Sequence, residues 1–166
     1  YVKVGTNPYV QVSSVNATAI IVNTALTVAV TAGTSILRKW EYADQFDSAP
    51  GTSPYTAGKL GANDELHIIV LDEDGYIAGT PGTIIEKYPF VSKASDAKSS
   101  DGSSIYYPTV LFNKSDYIYW GAHDSAGTNW GNTAPATTFT NVTLKRSLSL
   151  GGGNDAVVTD GDLLRG

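Results

Sequence analysis

The sequence predicts a mainly β protein of the α+β kind. The expected form is an antiparallel β-sandwich with a few short helices, preceded by part of another β domain. Three observations lead there. The stretch 65–71, ELHIIVL, is apolar on both faces, with Leu66, Ile68 and Val70 on one and His67, Ile69 and Leu71 on the other. A strand of that kind belongs inside a packed structure and not at a wet edge. Turn chemistry recurs at short intervals, as GTNP at 5–8, DEDG at 72–75, GTPG at 79–82 and SSDGSS at 99–104. About ten short strands and two or three short helices fit between such turns. Finally, 42% of the 166 residues are hydrophobic and 16% charged, where an average domain carries about 25% charged residues. Ser, Thr, Asn and Gly supply the polar surface instead, as suits a β-rich extracellular or virion protein.

Taken in order, residues 1–4 and 9–15 alternate about the GTNP turn, and 17–23 and 25–32 continue the pattern. In 25–32, Leu26, Val28 and Val30 alternate with Thr27, Ala29 and Thr31, which predicts a half-buried strand. Residues 36–46 place Ile36, Trp40, Tyr42 and Phe46 on one face at period 2, favouring strand over short helix. The stretch 47–58, DSAPGTSPYTAG, reads as a loop and a domain boundary. The expected organisation is therefore the end of an inserted β domain over 1–46, a linker over 47–58, and the sandwich domain over 59–166.

The hairpin beginning at residue 65 turns at 72–75, where Gly75 supplies positive φ, and turns again at 79–82. It returns over 83–88 and is expected to end at Pro89. Residues 91–98 have room for one helical turn capped by Ser92. In 105–113, Pro108 suits either the first residue of a short helix or an edge strand. The sequence DYIYW at 116–120 reads as an aromatic strand, 121–135 as a polar loop, and 137–149 as holding a strand with Phe139, Val142 and Leu144. A helix is expected to start near Thr159 or Asp160. Tyr1 already lies within an expected strand and an apolar run begins at 162–166, so both ends are expected to continue into a longer polypeptide.

Net charge is −5 with no basic run, so binding to nucleic acid is not expected. Cysteine is absent, which excludes thiolate chemistry and Cys-bound zinc. The longest apolar run, 17–32, is interrupted by Asn23 and several threonines and falls short of the roughly 18–20 residues of a membrane span. His67 reads as a strand histidine. His123 adjoins Asp124, but neighbours along a strand point apart. The turn Asp72-Glu73-Asp74-Gly75 has its glycine fourth, where an EF-hand loop needs it sixth. Gly151-Gly152-Gly153-Asn154-Asp155 is one unit of a calcium repeat that works only in stacks.

Glu65, Asp72, Glu73, Asp74 and Glu86 are the carboxylates available for glycoside hydrolysis, at separations the sequence does not give. Asn16, Asn113 and Asn141 head glycosylation triplets, which a chain rich in Asn, Ser and Thr produces by chance. No catalytic, cofactor-binding or metal-binding residue is assigned. The aromatics Tyr106, Tyr107, Tyr117, Tyr119, Trp120 and Trp130 crowd the second half, fit for core packing or for stacking on sugars or a neighbouring subunit.

The ordered blocks GAND at 61–64, DEDGYIAGTPGTIIEKY at 72–88, VSKASDAK at 91–98 and DYIYW at 116–120 resemble the contractile tail sheath protein of myoviruses, the cyanophage branch in particular. The later LSLGGGNDAVVTDGD resembles a Leu-Ser-Gly-Gly-x-Asp block of that family, with one glycine more. The resemblance spans about residues 48–162; residues 1–46 carry no matching block. It implies a structural role without catalytic residues or cofactors. Subunits would form rings of six stacked helically around a tail tube in the virion, contracting on a baseplate signal to drive the tube through the host envelope. The partners implied are other copies of the chain, with tube and baseplate proteins met elsewhere on the subunit. The other class compatible with the residues is a carbohydrate-binding or adhesin-like sandwich using Trp120, Trp130 and the tyrosines.

Overall fold

A computed structural model describes residues 1–125, 127–142 and 147–150. Its elements are β1 (Val2–Val4), β2 (Val12–Val15), β3 (Ile20–Val22), β4 (Ile36–Arg38), a 3-10 turn (Ala43–Gln45), α1 (Pro54–Gly58), β5 (Glu65–Asp72), β6 (Thr83–Ser92) and α2 (Tyr107–Lys114). With 26% strand and 11% helix, the chain is of the mainly β class. Its strands pair as three separate two-stranded antiparallel sheets, β1–β4, β2–β3 and β5–β6. Two facing sheets of a sandwich are not among the described residues.

Residues 1–46 bury little. Val2 and Val10 exchange backbone hydrogen bonds at 2.9 and 2.8 Å and are both buried. The alternating stretch 25–32 forms no strand. Asn7 takes the place of a neighbouring strand: its Oδ1 accepts from Val28 N at 2.8 Å, and its Nδ2 donates to Val28 O at 3.1 Å and Val4 O at 3.0 Å. A strand needs a ladder partner beyond its own alternation, and one amide side chain serves a single residue. The expected strand over 36–46 is likewise cut to β4, after which Trp40 stacks on Phe46 and meets Tyr42 edge-on about the 3-10 turn.

The main core lies between the β5–β6 hairpin and α2. Leu66, Tyr88 and Val91 meet Tyr107, Val110 and Leu111, with Ile68, Val70, Ile118 and Trp130 packed around them. The expected face Leu66, Ile68, Val70 is therefore the inner one. Tyr107, Val110 and Leu111 share one side of α2 at i, i+3 and i+4, and Pro108 sits in its first turn, where the missing N–H costs nothing. A second cluster joins Ala94, Ala97, Ala134 and Phe139, flanked by Tyr55 and Ile105.

Several expectations are corrected by hydrogen bonds, some local and some between distant residues. β6 does not end at Pro89 but runs to Ser92. Leu66 pairs with Val91 and Ile68 with Tyr88, so Pro89 and Phe90 oppose His67 in a bulge where proline need not donate. No helical turn forms at 91–98, because Ser92 belongs to β6 and its Oγ accepts from Ala94 N at 3.0 Å. The aromatic stretch 116–120 is not a strand. Ser115 Oγ accepts from Tyr117 N and Ile118 N, and Glu86 accepts from Ser115 Oγ at 2.6 Å and Asp116 N at 2.8 Å, so the chain turns sharply beyond α2.

Within the expected loop 47–58, Ser53 caps α1 by accepting from Thr56 N. Residues 137–142 contribute one bridge, Ala62 to Thr138, in place of a strand. The rest of the strand expected there and the expected helix near Thr159 fall wholly or partly outside the described residues, as does the Gly151–Asp155 repeat unit.

Candidate functional site

The turn into α2 and the segment after it bring three of the six singled-out aromatics, Tyr106, Tyr107 and Trp120, together around His123. The Tyr107 hydroxyl lies 2.6 Å from His123 Nδ1, Tyr106 OH lies 3.4 Å from Nε2, and Trp120 Nε1 donates to Tyr107 OH at 3.2 Å. The Tyr107 oxygen accepts from the indole and still has both its own proton and a second lone pair to offer Nδ1, so either tautomer of His123 fits. Trp130 meets the Tyr107 ring edge-on at 6.0 Å. Gly131 lets the chain pass: it has φ +89, and a Cβ there would come within 2.6 Å of His123 Nε2.

Burial pushes the Tyr107 phenol up, Tyr106 and Asp124 add to this, and the indole donor opposes it; burial likewise raises Tyr106. Both imidazole nitrogens face phenols, so the ring works as a crosslink within the aromatic cluster. Tyr117 and Tyr119 stay outside this cluster and are exposed. Tyr119 and Trp120 instead join Pro108, Thr109 and Phe112 around a shallow surface groove of about 290 Å³.

The other histidine is a crosslink too. His67 Nδ1 accepts from Phe90 N at 3.1 Å, which leaves Nε2 to donate to Ser48 O at 2.9 Å. Phe46 stacks on its ring at 4.0 Å. The strand-histidine reading of the sequence matches this placement.

Of the carboxylates considered for chemistry, Glu65, Asp72 and Glu86 accept from backbone donors. Asp72 accepts from Ala78 N at 2.7 Å and from Ile77 N and Gly75 N at 3.0 Å, which hold its carboxyl below the ordinary value against a smaller opposing effect of burial. Glu65 accepts from Gly51 N at 2.9 Å. Burial would raise Glu86, but the donors from Ser115 and Asp116 outweigh it and leave its carboxyl lowered. Three N–H groups on Asp72 make a poor calcium ligand of it, because the donors already supply positive potential there. Among the described residues, no three His, Asp or Glu side chains converge as a metal site.

Sequence reasoning missed a carboxylate that is fully buried. It belongs to Asp64 and accepts from Ser53 N at 2.8 Å, Ser53 Oγ at 2.8 Å and Ser92 Oγ at 2.5 Å. This ties α1 to β5 and β6. Lys93, only 1% exposed, places Nζ 5.4 Å from the Trp130 ring centre and donates to Thr140 O at 3.2 Å. Nothing local in the sequence distinguishes Asp64 or Lys93 from surface charges; the SP dipeptide opening α1 was the one available cue.

Burial lowers the Lys93 ammonium from 10.5 to about 8, with the Asp64 charge opposing. Between those values the unfolded chain binds more protons than the folded one, so stability rises with pH. Above about pH 10 the raised tyrosines act the other way, because the folded state then holds the extra protons. Urea midpoints measured across this range are expected to climb from pH 8 and pass a maximum near pH 9–10. Lys93→Met is expected to abolish the climb while leaving the fall above it; a wild-type midpoint that is flat or falling between pH 8 and 9.5 would contradict the burial of a charged Lys93.

Compared with known proteins, the chain matches no family model, no curated protein and no solved structure.

Proposed function

We propose that this chain is a structural part of a contractile phage tail sheath subunit. The observation that carries the reading is the ordered run of sequence blocks from GAND to DYIYW. The geometry supplies a reason for several of those residues. Asp64 and Ser92 form the buried network, Asp72 caps the hairpin turn, Glu86 caps the segment after α2, and Lys93 lies under Trp130. These are residues of a scaffold, as suits a subunit that stays folded while its contacts with neighbours are exchanged.

The exposed apolar side chains of residues 1–46 support the same reading. Val15, Ile20, Ile21, Ile36 and Leu37 are each at least 42% exposed and sit on two-stranded sheets. Sheets that small are marginal alone and are stabilised by added strands or covering surfaces. In the proposed assembly neighbouring subunits provide these, and the expected sandwich is completed from outside the chain. Copies stack as rings of six around the tail tube, in a virion tail put together in the bacterial cytoplasm. The segments 47–58, 99–104 and 121–135 lie at the outer surface or between subunits. Tube and baseplate are met elsewhere on the subunit, and work comes from rearranging copies, with no bond made or broken inside one.

Electron microscopy of particles made by the full-length protein is the test. A striated cylinder that shortens on triggering is the expected result. A dispersed population without ring stacks would overturn the proposal.

A further inference from the structure

We propose that the groove between α2 and residues 119–120 binds a neutral pyranose ring of a glycan. This goes beyond the sheath reading and does not depend on it. Pro108, Thr109 and Phe112 line it from α2, and Tyr119 and Trp120 from the segment after the helix. Phe112 is 72% exposed and Tyr119 78% exposed, so both rings stand in water beside the indole. Isolated exposed aromatics are ordinary on a protein surface; three around one groove are a platform.

The chemistry of the lining selects the ligand. None of the five side chains is charged, which suits a neutral polyol better than a phosphate, a carboxylate or a basic peptide. Aromatic faces carry negative potential and pack against the C–H face of a sugar ring, while the hydroxyls of Thr109 and Tyr119 add donors and acceptors. The volume of about 290 Å³ lies at the lower end of the range for small-ligand sites. It suits a single sugar ring. A stable protein interface needs roughly 800 Å² from each partner, more than a five-residue groove offers.

The platform is also set before any ligand arrives. Trp120 Nε1 donates to Tyr107 OH, and that hydroxyl in turn contacts His123 Nδ1 at 2.6 Å. This chain of hydrogen bonds anchors the indole to the aromatic cluster behind it. A ring already held in place loses less freedom on binding than a mobile one.

The test uses the 166-residue chain with methyl glycosides of glucose, galactose, mannose and N-acetylglucosamine. Saturation-transfer NMR is expected to show contact to at least one glycoside, with Kd on the order of millimolar. Phe112→Ala and Tyr119→Ala, both at exposed rings, are expected to weaken binding about tenfold or more. Tyr76→Ala, at a remote ring that is 91% exposed, is expected to leave it unchanged. Trp120→Ala is expected to abolish binding, and the two exposed-ring variants keep the test valid where that variant misfolds. No transfer from any of the four glycosides, or binding indifferent to Phe112 and Tyr119, would overturn the proposal. So would groove signals that shift with protein concentration and not with sugar, which would make the groove a contact between copies.

Discussion

Asp64→Ala is expected to cost about 3–5 kcal/mol of stability, among the largest effects of any single substitution in this chain. The carboxylate accepts one backbone and two hydroxyl donors in a site that is completely buried. Alanine leaves all three without an acceptor. It also removes the charge that opposes the lowering of Lys93. Asp64→Asn keeps one oxygen and is expected to lose roughly half as much.

Urea denaturation of wild type, both variants and the double substitution Asp64→Asn with Lys93→Met would check this. If the two charges support each other, the double variant should lose less than the sum of the singles. A loss below about 1 kcal/mol for Asp64→Ala would mean that water or rearranged hydroxyls replace the carboxylate, and that α1 is not held by it.

Phe139→Ala is expected to cost about 3–5 kcal/mol for a different reason. Phe139 is 1% exposed and packs with Ala94, Ala97 and Ala134. The buried alanine neighbours have no side chain that can swing into the vacated space, which leaves only the flanking Tyr55 and Ile105 to shrink the cavity. The backbone on either side is pinned as well. Phe139 N donates to Ala62 O at 2.9 Å, and Ala62 N donates to Thr137 O at 2.9 Å. Gly61 sits so close to this segment that a Cβ would lie 2.4 Å from Ala134 O, which leaves the two stretches little freedom to shift and refill the gap. Phe112→Ala removes the same side chain from an exposed position and is expected to change stability by less than about 0.5 kcal/mol. Equal midpoints for the two phenylalanine variants would show that the second cluster is not a packed core.

The elements legible in advance are those whose signal is local. That Leu66, Ile68 and Val70 share one face followed from alternation, though which face turns inward did not; the hairpin turn with Gly75 at φ +79 followed from turn chemistry. Pro108 at the start of α2 was one of two arrangements open to a proline there. Where the reading failed, a side-chain hydrogen-bonding group had taken over the backbone, from far along the chain or from the residue next door. Alternation over 25–32 met Asn7 instead of a partner strand, and the aromatic alternation over 116–120 met Ser115 and Glu86. Of the aromatic cluster the sequence named the members; their convergence on His123 was invisible, because it depends on the turn beyond α2.

Sequence alone, then, determined the mainly β class, the central hairpin, and the lack of cysteine and of any basic run, because composition and nearest-neighbour sterics suffice for those. The tertiary structure decided which strands pair, that Asp64 and Lys93 go inside, and that exposed rings gather into a groove beside α2. Those outcomes hang on hydrogen bonds and contacts between residues far apart in the chain. No window of neighbouring residues records where a carboxylate will find its donors.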